Sequence, residues 1–411
     1  MKILAIETSC DETALCIVEM NQENNQINIE IQANEIASQI ALHAQYGGVY
    51  PAMAKREHVK NIYPILIQVL KESNNYFESK DSFSKEQTEK LKEILNHEQE
   101  LCDLILNSSK LEKPDIDNIA VTYGPGLEPA LWVGVNFAQA LSYIWDIPLL
   151  PVNHMEGHLV SSLLPIYEKN KKIILKEMPE SAIGLLVSGG HTQIVKIENK
   201  NQYEIIGQTV DDAVGEAYDK VARMLELPYP GGPQISRLAE MGREAPLLIE
   251  EGVGGGDLKI NHHPALSGTP PRQGGGIKFP RPMLHSGDYN FSFSGLKTAV
   301  LYYIRDNEIK NEEDKVNIAL AFEDAAVGVL VSKTMHALEE NGATHLLLGG
   351  GVSANKHLRS ELLQKCGESN VTIYEPVREI TGDNALMIAM AGFLNPQTTT
   401  QKVTAQGNLS L

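Results

Sequence analysis

The sequence contains no Gly-Lys dipeptide, which excludes a Walker-type P-loop, whose lysine must follow a glycine directly to reach the phosphates. Its four cysteines, Cys10, Cys16, Cys102 and Cys366, form no C-x-x-C pair, so neither a zinc ribbon nor a thioredoxin-type redox site is encoded. They are expected to be reduced, buried or incidental. No apolar run reaches the roughly 20 residues needed to cross a bilayer. The N-terminal MKILAIETSC meets an acid at Glu7 before a signal-peptide h-region can develop, so a cytoplasmic chain with no membrane partner is expected. Positive charge is also scarce, since 35 Lys and Arg against 53 Asp and Glu give a formal net charge of -18. Long-range capture of nucleic acid draws on clustered cations. An RNA substrate would therefore need a local patch or a partner.

What is present points to a globular α/β protein, with 42% hydrophobic and 21% charged residues. A chain of 411 residues exceeds one ordinary core, and two lobes follow as the expectation. Residues 2–18 read as strand, polar turn, strand (KILAIE, TSCDE, TALCIVE), and the pattern returns at 183–197 (IGLLV, SGGH, TQIVKI). Two such hairpins suggest a duplicated lobe. The expected division is a first lobe over 1–178, onto which a C-terminal helix of about 384–411 packs back, and a second lobe over 179–383. Residues 73–113 turn polar and read as a surface insertion. Residues 251–278 hold eight glycines and three prolines and read as a flexible loop, too poor in apolar surface to offset its ordering entropy.

Three features carry chemistry. His154 and His158 in HMEGH lie about 40° apart on a helix that Asn153 can cap, so both imidazoles can reach one ion. Hydrogen-bonded helix histidines show the same spacing. Glu156 sits about 200° round from His154, unlike the glutamate that follows the first histidine directly in H-E-x-x-H peptidases. Next, glycine turns follow apolar runs at Gly124–Gly126, Ser188–Gly190 and Gly349–Gly351, where backbone N–H groups can approach an anion; a plain tight turn is the alternative for each. With no P-loop, and with GPGLEP lacking the third glycine of a dinucleotide fingerprint, strand hairpins in two lobes suit the actin, Hsp70 and sugar-kinase architecture, where phosphates sit between the lobes. Finally, acids recur. Asp11 and Glu12 in the first hairpin turn can serve as a base or stay solvated. Asp211, Asp212, Glu216 and Asp219 crowd one expected helix, as a solvated face or as ribose ligands. Asp383 and Asn384 can cap the last helix. Lys55, Arg56 and Lys60 with His58 can meet RNA phosphates or form a solvated helix face.

Taken in order, ETSCDETA, HAQYGGVYPAMAKREHV, GPGLEPALWVG, PVNHMEGH, LLVSGGHT, DDAVGEAYDKVAR, YPGGP, FPRP, FSFSGLKTAV, GGGVSAN and TGDNALMIA resemble the tRNA N6-adenosine threonylcarbamoyltransferase family, formerly labelled O-sialoglycoprotein endopeptidase, across nearly the whole chain. The resemblance implies the two-lobed actin/Hsp70/sugar-kinase-like (ASKHA) fold. It also implies transfer of threonylcarbamoyl from threonylcarbamoyl-AMP to N6 of adenosine 37 in tRNAs reading codons that begin with adenine. It places the metal ligands on His154, His158 and Asp383, with iron ahead of zinc, and the ligand contacts on Leu186, Val187, Ser188, Gly189, Gly190, Asp219, Gly232 and Asn355. Asp11 is the expected base. ATP or ADP would occupy the same cleft. Implied partners are tRNA, an inactive paralogue, a small ATPase and an upstream adenylate-forming enzyme. The alternatives are an ATP-binding scaffold of the same fold and a metallopeptidase; the second would lack a base, since Glu156 points away.

Overall fold

The computed structural model describes residues 1–24, 26–200, 202–244 and 276–411. Most of the glycine-rich 251–278 segment therefore lies outside the described residues. β1 (Lys2–Glu7) is apolar on both faces and is buried from Ile3 to Glu7, as befits a strand covered on both sides of its sheet. β2 (Glu12–Glu23) and β3 (Gln26–Ser38) follow antiparallel. On the other side β4 (Asn118–Gly124) and β5 (Leu149–Asn153) join in parallel, while β6 (Lys172–Ile174) pairs with β3. Among the described residues the order is β5-β4-β1-β2-β3-β6.

The second sheet repeats this plan. β7 (Ser181–Val187), β8 (Thr192–Glu198) and β9 (Gln202–Gln208) run antiparallel, and β10 (His345–Gly349) and β11 (Thr372–Tyr374) add in parallel beside β7, in the order β11-β10-β7-β8-β9. Strand for strand, the five positions match those of the first sheet in order and direction. This duplicated plan is the two-lobed actin, Hsp70 and sugar-kinase fold. The hairpin turns, 188–191 between Val187 and Thr192 and its counterpart after Glu7, both lie at carboxyl ends of strands, where open α/β sheets bind ligands.

Helices α1 (Ile40–Ala44), α2 (Pro51–Glu72), α3 (Lys85–Ile94), α4 (Gln99–Asn107) and α5 (Glu128–Trp145) accompany the first sheet. In the 73–113 region, expected to lie on the surface as an insertion, Leu91, Leu95, Leu101, Cys102, Ile105 and Leu111 enter the first lobe's core. The region's polar composition belongs to the outer faces of α3 and α4, which are amphipathic. α6 (His154–Ser161) comes directly after β5. In the second lobe stand α7 (Val214–Met224), α8 (Gly231–Glu244), α9 (Ser294–Asp306), α10 (Glu312–Glu340) and α11 (Lys356–Glu368). Asp211 and Asp212 precede α7, so they do not share a helix face with Glu216 and Asp219.

α12 (Ala385–Leu394) is apolar all round and buried from Ala385 to Gly392. It packs against α6, and both lie in a core built from the two sheets, with Ala5 and Val18 on one side and Leu186, Val195 and Leu347 on the other. Burial of a side chain such as Leu159 or Met390 in this core contributes about 1.5–3 kcal/mol. The helix expected to run to the C-terminus stops at Leu394, because Pro396 restricts the residue before it and offers no N–H. The tail instead runs back along the first lobe, where Thr399 and Leu149 exchange backbone hydrogen bonds, Gln406 N donates to Tyr123 O at 2.7 Å, and Val403 and Ala405 are buried.

Candidate active site and metal centre

Asn153 ends β5 and caps α6, its Oδ1 accepting from Met155 N at 2.9 Å. Every residue of α6 is buried, because the helix is wedged between the sheets and α12. Two glycines permit the fit: a Cβ on Gly157 would meet Ile388 at 3.0 Å, and one on Gly349 would meet the His158 carbonyl oxygen at 2.6 Å. The imidazoles of His154 and His158 thus stand in a rigid wall, ring centroids 4.6 Å apart. Asp383 arrives from just before α12. Its Oδ1 lies 3.2 Å from His158 Nε2 and 3.5 Å from His154 Nε2. Asn384 does the capping, accepting from Met387 N at 3.0 Å, which leaves Asp383 free to face the histidines. One ligand atom from each of His154, His158 and Asp383 falls within 4.8 Å of the others, so the group could hold a metal ion.

Sequence reasoning missed the carboxylate behind this group. Glu7, fully buried at the end of β1, lies 3.0 Å from His154 Nδ1 through Oε2, which also accepts from Thr122 Oγ1 at 2.6 Å. A charged residue closing the apolar run KILAI was the available signal. With Nδ1–H donating to Glu7, His154 Nε2 is the free ligand atom. Burial pulls the His154 pKa down, but Asp383 and Glu7 overcome it and leave the imidazole raised from 6.5 to about 9. Asp383 is pushed up by burial and more strongly down by His154 and His158, ending well below the usual carboxylate range. The cluster draws positive charge. His158 Nδ1 is buried without a hydrogen-bond partner, and Nε2, also buried, has only the Asp383 carboxylate 3.2 Å away, so an ion at Nε2 would give that nitrogen the ligand its burial calls for.

His154 and Asp383 open onto a cleft of about 1130 Å³ between the lobes. Of the sequence-predicted residues, Asp11, Ser188, Gly189, Gly190, Asp219, Gly232 and Asn355 also line it. Leu186 and Val187 do not: both are fully buried in β7 and serve the cores. The three glycine turns differ in use. Gly189, Gly190 and Gly351 have open space where a Cβ would stand, so their backbones are accessible from the cleft. At Gly124 and Gly126, by contrast, a Cβ would lie 2.1 Å from Gln406 O and 2.7 Å from Ser9 O, so those glycines serve packing of the tail and of the first hairpin turn.

Asp219 on α7 accepts from Gly231 N at 2.7 Å, fixing the carboxylate at the start of α8; burial raises its pKa, opposed by the Gly231 and Gly232 amides. Asn355 caps α11 through Leu358 N at 2.8 Å and donates to Glu323 Oε1 at 2.6 Å. Glu323, buried on α10, is paired with Arg243 at 2.5 Å. Neither had a sequence signal, since no local motif tells that Glu323 on α10 and Arg243 on α8 meet. Near the hairpin turn, burial followed by Asp383 and Asp11 pushes Glu12 up to about 10. Glu156 turns away from the cleft to accept from Tyr203 Oη at 3.2 Å and Asn395 Nδ2 at 3.3 Å. The basic cluster is largely consumed: Lys55 pairs with Glu98 at 3.0 Å, Lys60 pairs with Glu57, and His58 is buried against Thr13 and Cys10 O.

Fold and cleft together define an α/β enzyme of the two-lobed actin, Hsp70 and sugar-kinase class, with a His-His-Asp group at one end of its interlobe cleft and open glycine turns beside it. The family model described as tRNA N6-adenosine threonylcarbamoyltransferase matches residues 30–83 and 92–390, and the chain belongs to this family. Its activity is accordingly that of a transferase in tRNA threonylcarbamoylation. Relatives of that name from Burkholderia mallei and Nitrosospira multiformis are 37% and 38% identical, covering 96% and 95% of this chain and 92% and 90% of their own. One from Nitrosomonas europaea is 35% identical over 100% of this chain and 97% of its own. Among solved structures, full-length HypF in its phosphate- and nucleotide-bound form aligns with a TM-score of 0.47 and 14% identity over 95% of this chain; the chain spans 45% of that HypF chain. A ROK hexokinase from Thermus thermophilus aligns with a TM-score of 0.42 and 9% identity, covering 96% of this chain and 98% of its own. No helix among the described residues is long and apolar enough to cross a membrane.

Proposed function

We propose that this cleft, in the cytoplasm, binds threonylcarbamoyl-AMP and transfers its acyl group to N6 of adenosine 37 in tRNAs reading codons that begin with adenine. The observation that carries the reading is the meeting, in one cleft, of the His-His-Asp group with the open backbones of Gly189, Gly190 and Gly351. His154, His158 and Asp383 would hold one divalent ion, iron ahead of zinc, since two imidazoles and a carboxylate suit both. Such an ion polarises an acyl oxygen as a Lewis acid. The Ser188–Gly190 turn would bind the adenylate phosphate through backbone N–H groups. Asp219, Gly232 and Asn355 would hold the nucleoside, with Asn355 kept in place by Glu323 and Arg243. N6 attacks the carbonyl carbon, the new C–N bond forms as the carbonyl–phosphate bond breaks, and AMP leaves. Asp11, buried at the cleft beside the hairpin turn, would take the N6 proton.

We take the lobes as 1–178 with the C-terminal segment from about 384, and 179–383, with ATP or ADP able to fill the same cleft. The net charge of -18 supports dependence on companions, an inactive paralogue and a small ATPase, with the donor made by a separate enzyme. The test supplies metallated protein and its companions with threonylcarbamoyl-AMP and tRNA, and follows modified adenosine by mass spectrometry. Product is expected from the wild type and is expected to fall by orders of magnitude in Asp383→Ala. No product from folded, metallated wild type would end the proposal.

A further inference from the structure

The segment joining α1 to α2 rims the cleft and presents two aromatic rings to solvent. Tyr46 and Tyr50 are 55% and 59% exposed, with ring centroids 6.0 Å apart and planes at 56°. Between them, Gly47, Gly48 and Val49 line the cleft. The segment is braced. Tyr46 N and Gly48 N donate to His43 O at 3.0 and 3.3 Å, and Tyr50 N donates to His43 Nδ1 at 3.4 Å. His43 is fully buried and contacts Gln39 Oε1 through Nε2 at 3.1 Å. From the opposite lobe, Arg223 on α7 donates to the Gly47 carbonyl. Gly47 sits at φ +70, which strains any residue with a side chain.

Neither tyrosine hydroxyl has a hydrogen-bond partner among the described residues, and neither ring belongs to a core. Ile40, 37% exposed and also lining the cleft, extends the apolar rim. Two exposed rings beside each other and Ile40 at the cleft make an apolar patch and not a scattered residue, and such patches mark sites for something outside the chain. The substrate must bring a base to this cleft. Bases in RNA loops are recognised by stacking on aromatic side chains, and such stacking needs no positive charge. That matters here, because within the nearby cluster Lys55 and Lys60 are tied to Glu98 and Glu57, which leaves Arg56 as its unpaired cation among the described residues.

We propose that Tyr46 and Tyr50 form a stacking platform for a purine of the tRNA anticodon loop, beside the adenosine whose N6 enters the cleft. The proposal rests on tRNA being the substrate. Arg223 and His43 position the platform, and the two rings bear the contact. Its strength belongs to tRNA binding and not to donor binding.

The test uses the full chain with its companion proteins and compares Tyr46→Ala, Tyr50→Ala, the double variant, the Phe variants and the Leu variants. The Ala and Leu variants are expected to raise KM for tRNA by about tenfold or more, the Leu variants because they keep bulk without a π face. The Phe variants should match wild type, and KM for threonylcarbamoyl-AMP should stay constant throughout. Melting temperatures should not move, since the rings are exposed. An unchanged KM for tRNA in the double Ala variant overturns the platform. So does a loss restored by raising the companion-protein concentration, which would make the rim a protein-docking surface. A wild type that modifies no adenosine would remove the functional reading itself, and the platform with it.

Discussion

At the scale of single residues, the proposed metal centre would depend on a carboxylate that is not one of its proposed ligands. Glu7 Oε2 faces His154 Nδ1 at 3.0 Å and so would leave Nε2 for an ion. Such outer partners tune ligand basicity and orientation, and their loss commonly lowers metal affinity by about 10- to 100-fold. Glu7→Gln keeps an oxygen in place but removes the charge, so a fall of that size is expected in a metal titration, with the fold retained. His158→Ala should lose bound metal altogether. Unchanged affinity in Glu7→Gln would mean that Asp383 alone sets the charge of the site. The histidine pair was legible in HMEGH because its spacing is a local property of one helix turn. Glu7 was not, because its relation to His154 exists only once β1 and β5 flank β4.

At the scale of elements, α9 begins without a cap of its own, and Phe293 at its N-cap position has no side-chain oxygen to offer. Asp211, ahead of α7, supplies one across the chain: its Oδ1 accepts from Phe293 N at 2.8 Å and Ser294 N at 3.2 Å. Losing a side-chain cap costs about 1 kcal/mol, so chemical denaturation of Asp211→Ala should show a loss of that order. Burial raises the Asp211 pKa, but the Ser292 and Ser294 hydroxyls and the two backbone amides overcome it and hold it below 3.8. The unfolded chain therefore binds the proton first as pH falls. The stabilisation is complete above about pH 4 and is lost as pH drops through the folded pKa, so the gap between wild type and variant should narrow in acid. A gap that widened in acid would refute the cap. In sequence, Asp211 looked like one more acid on a helix face. Only the approach of α9 to the start of α7 gives it a task.

For the whole molecule, charge decides how the substrate is held. A chain of net charge -18 repels a polyanion at long range, and within the first lobe's basic cluster Lys55 and Lys60 are already paired. Each phosphate contact steepens the fall of log K with log salt by nearly one unit. The isolated chain should thus bind tRNA weakly, with a shallow slope between about 50 and 200 mM salt, and the proposed companions would steepen it. A steep slope from the chain alone would contradict this and would point to a cationic face on this protein. The paired hairpins, the tandem sheets and the start of the final apolar helix were readable beforehand, but its end at Leu394 was not. The tail was not, since residues 395–411 have no period to betray that Val403 and Ala405 dock in the first lobe.

The sequence by itself determined the repeated strand hairpins, the histidine spacing and the places where glycine lets the backbone turn, because each is written in a few consecutive residues. Tertiary structure decided which glycines face the cleft and which merely admit a neighbour, as at Gly124 against Gln406. It also decided that Asn384 caps while Asp383 faces the histidines, and that the 73–113 region belongs to a core. These depend on contacts between residues far apart in the chain, and such contacts are set by how the sheets and α12 close around α6, not by any local pattern.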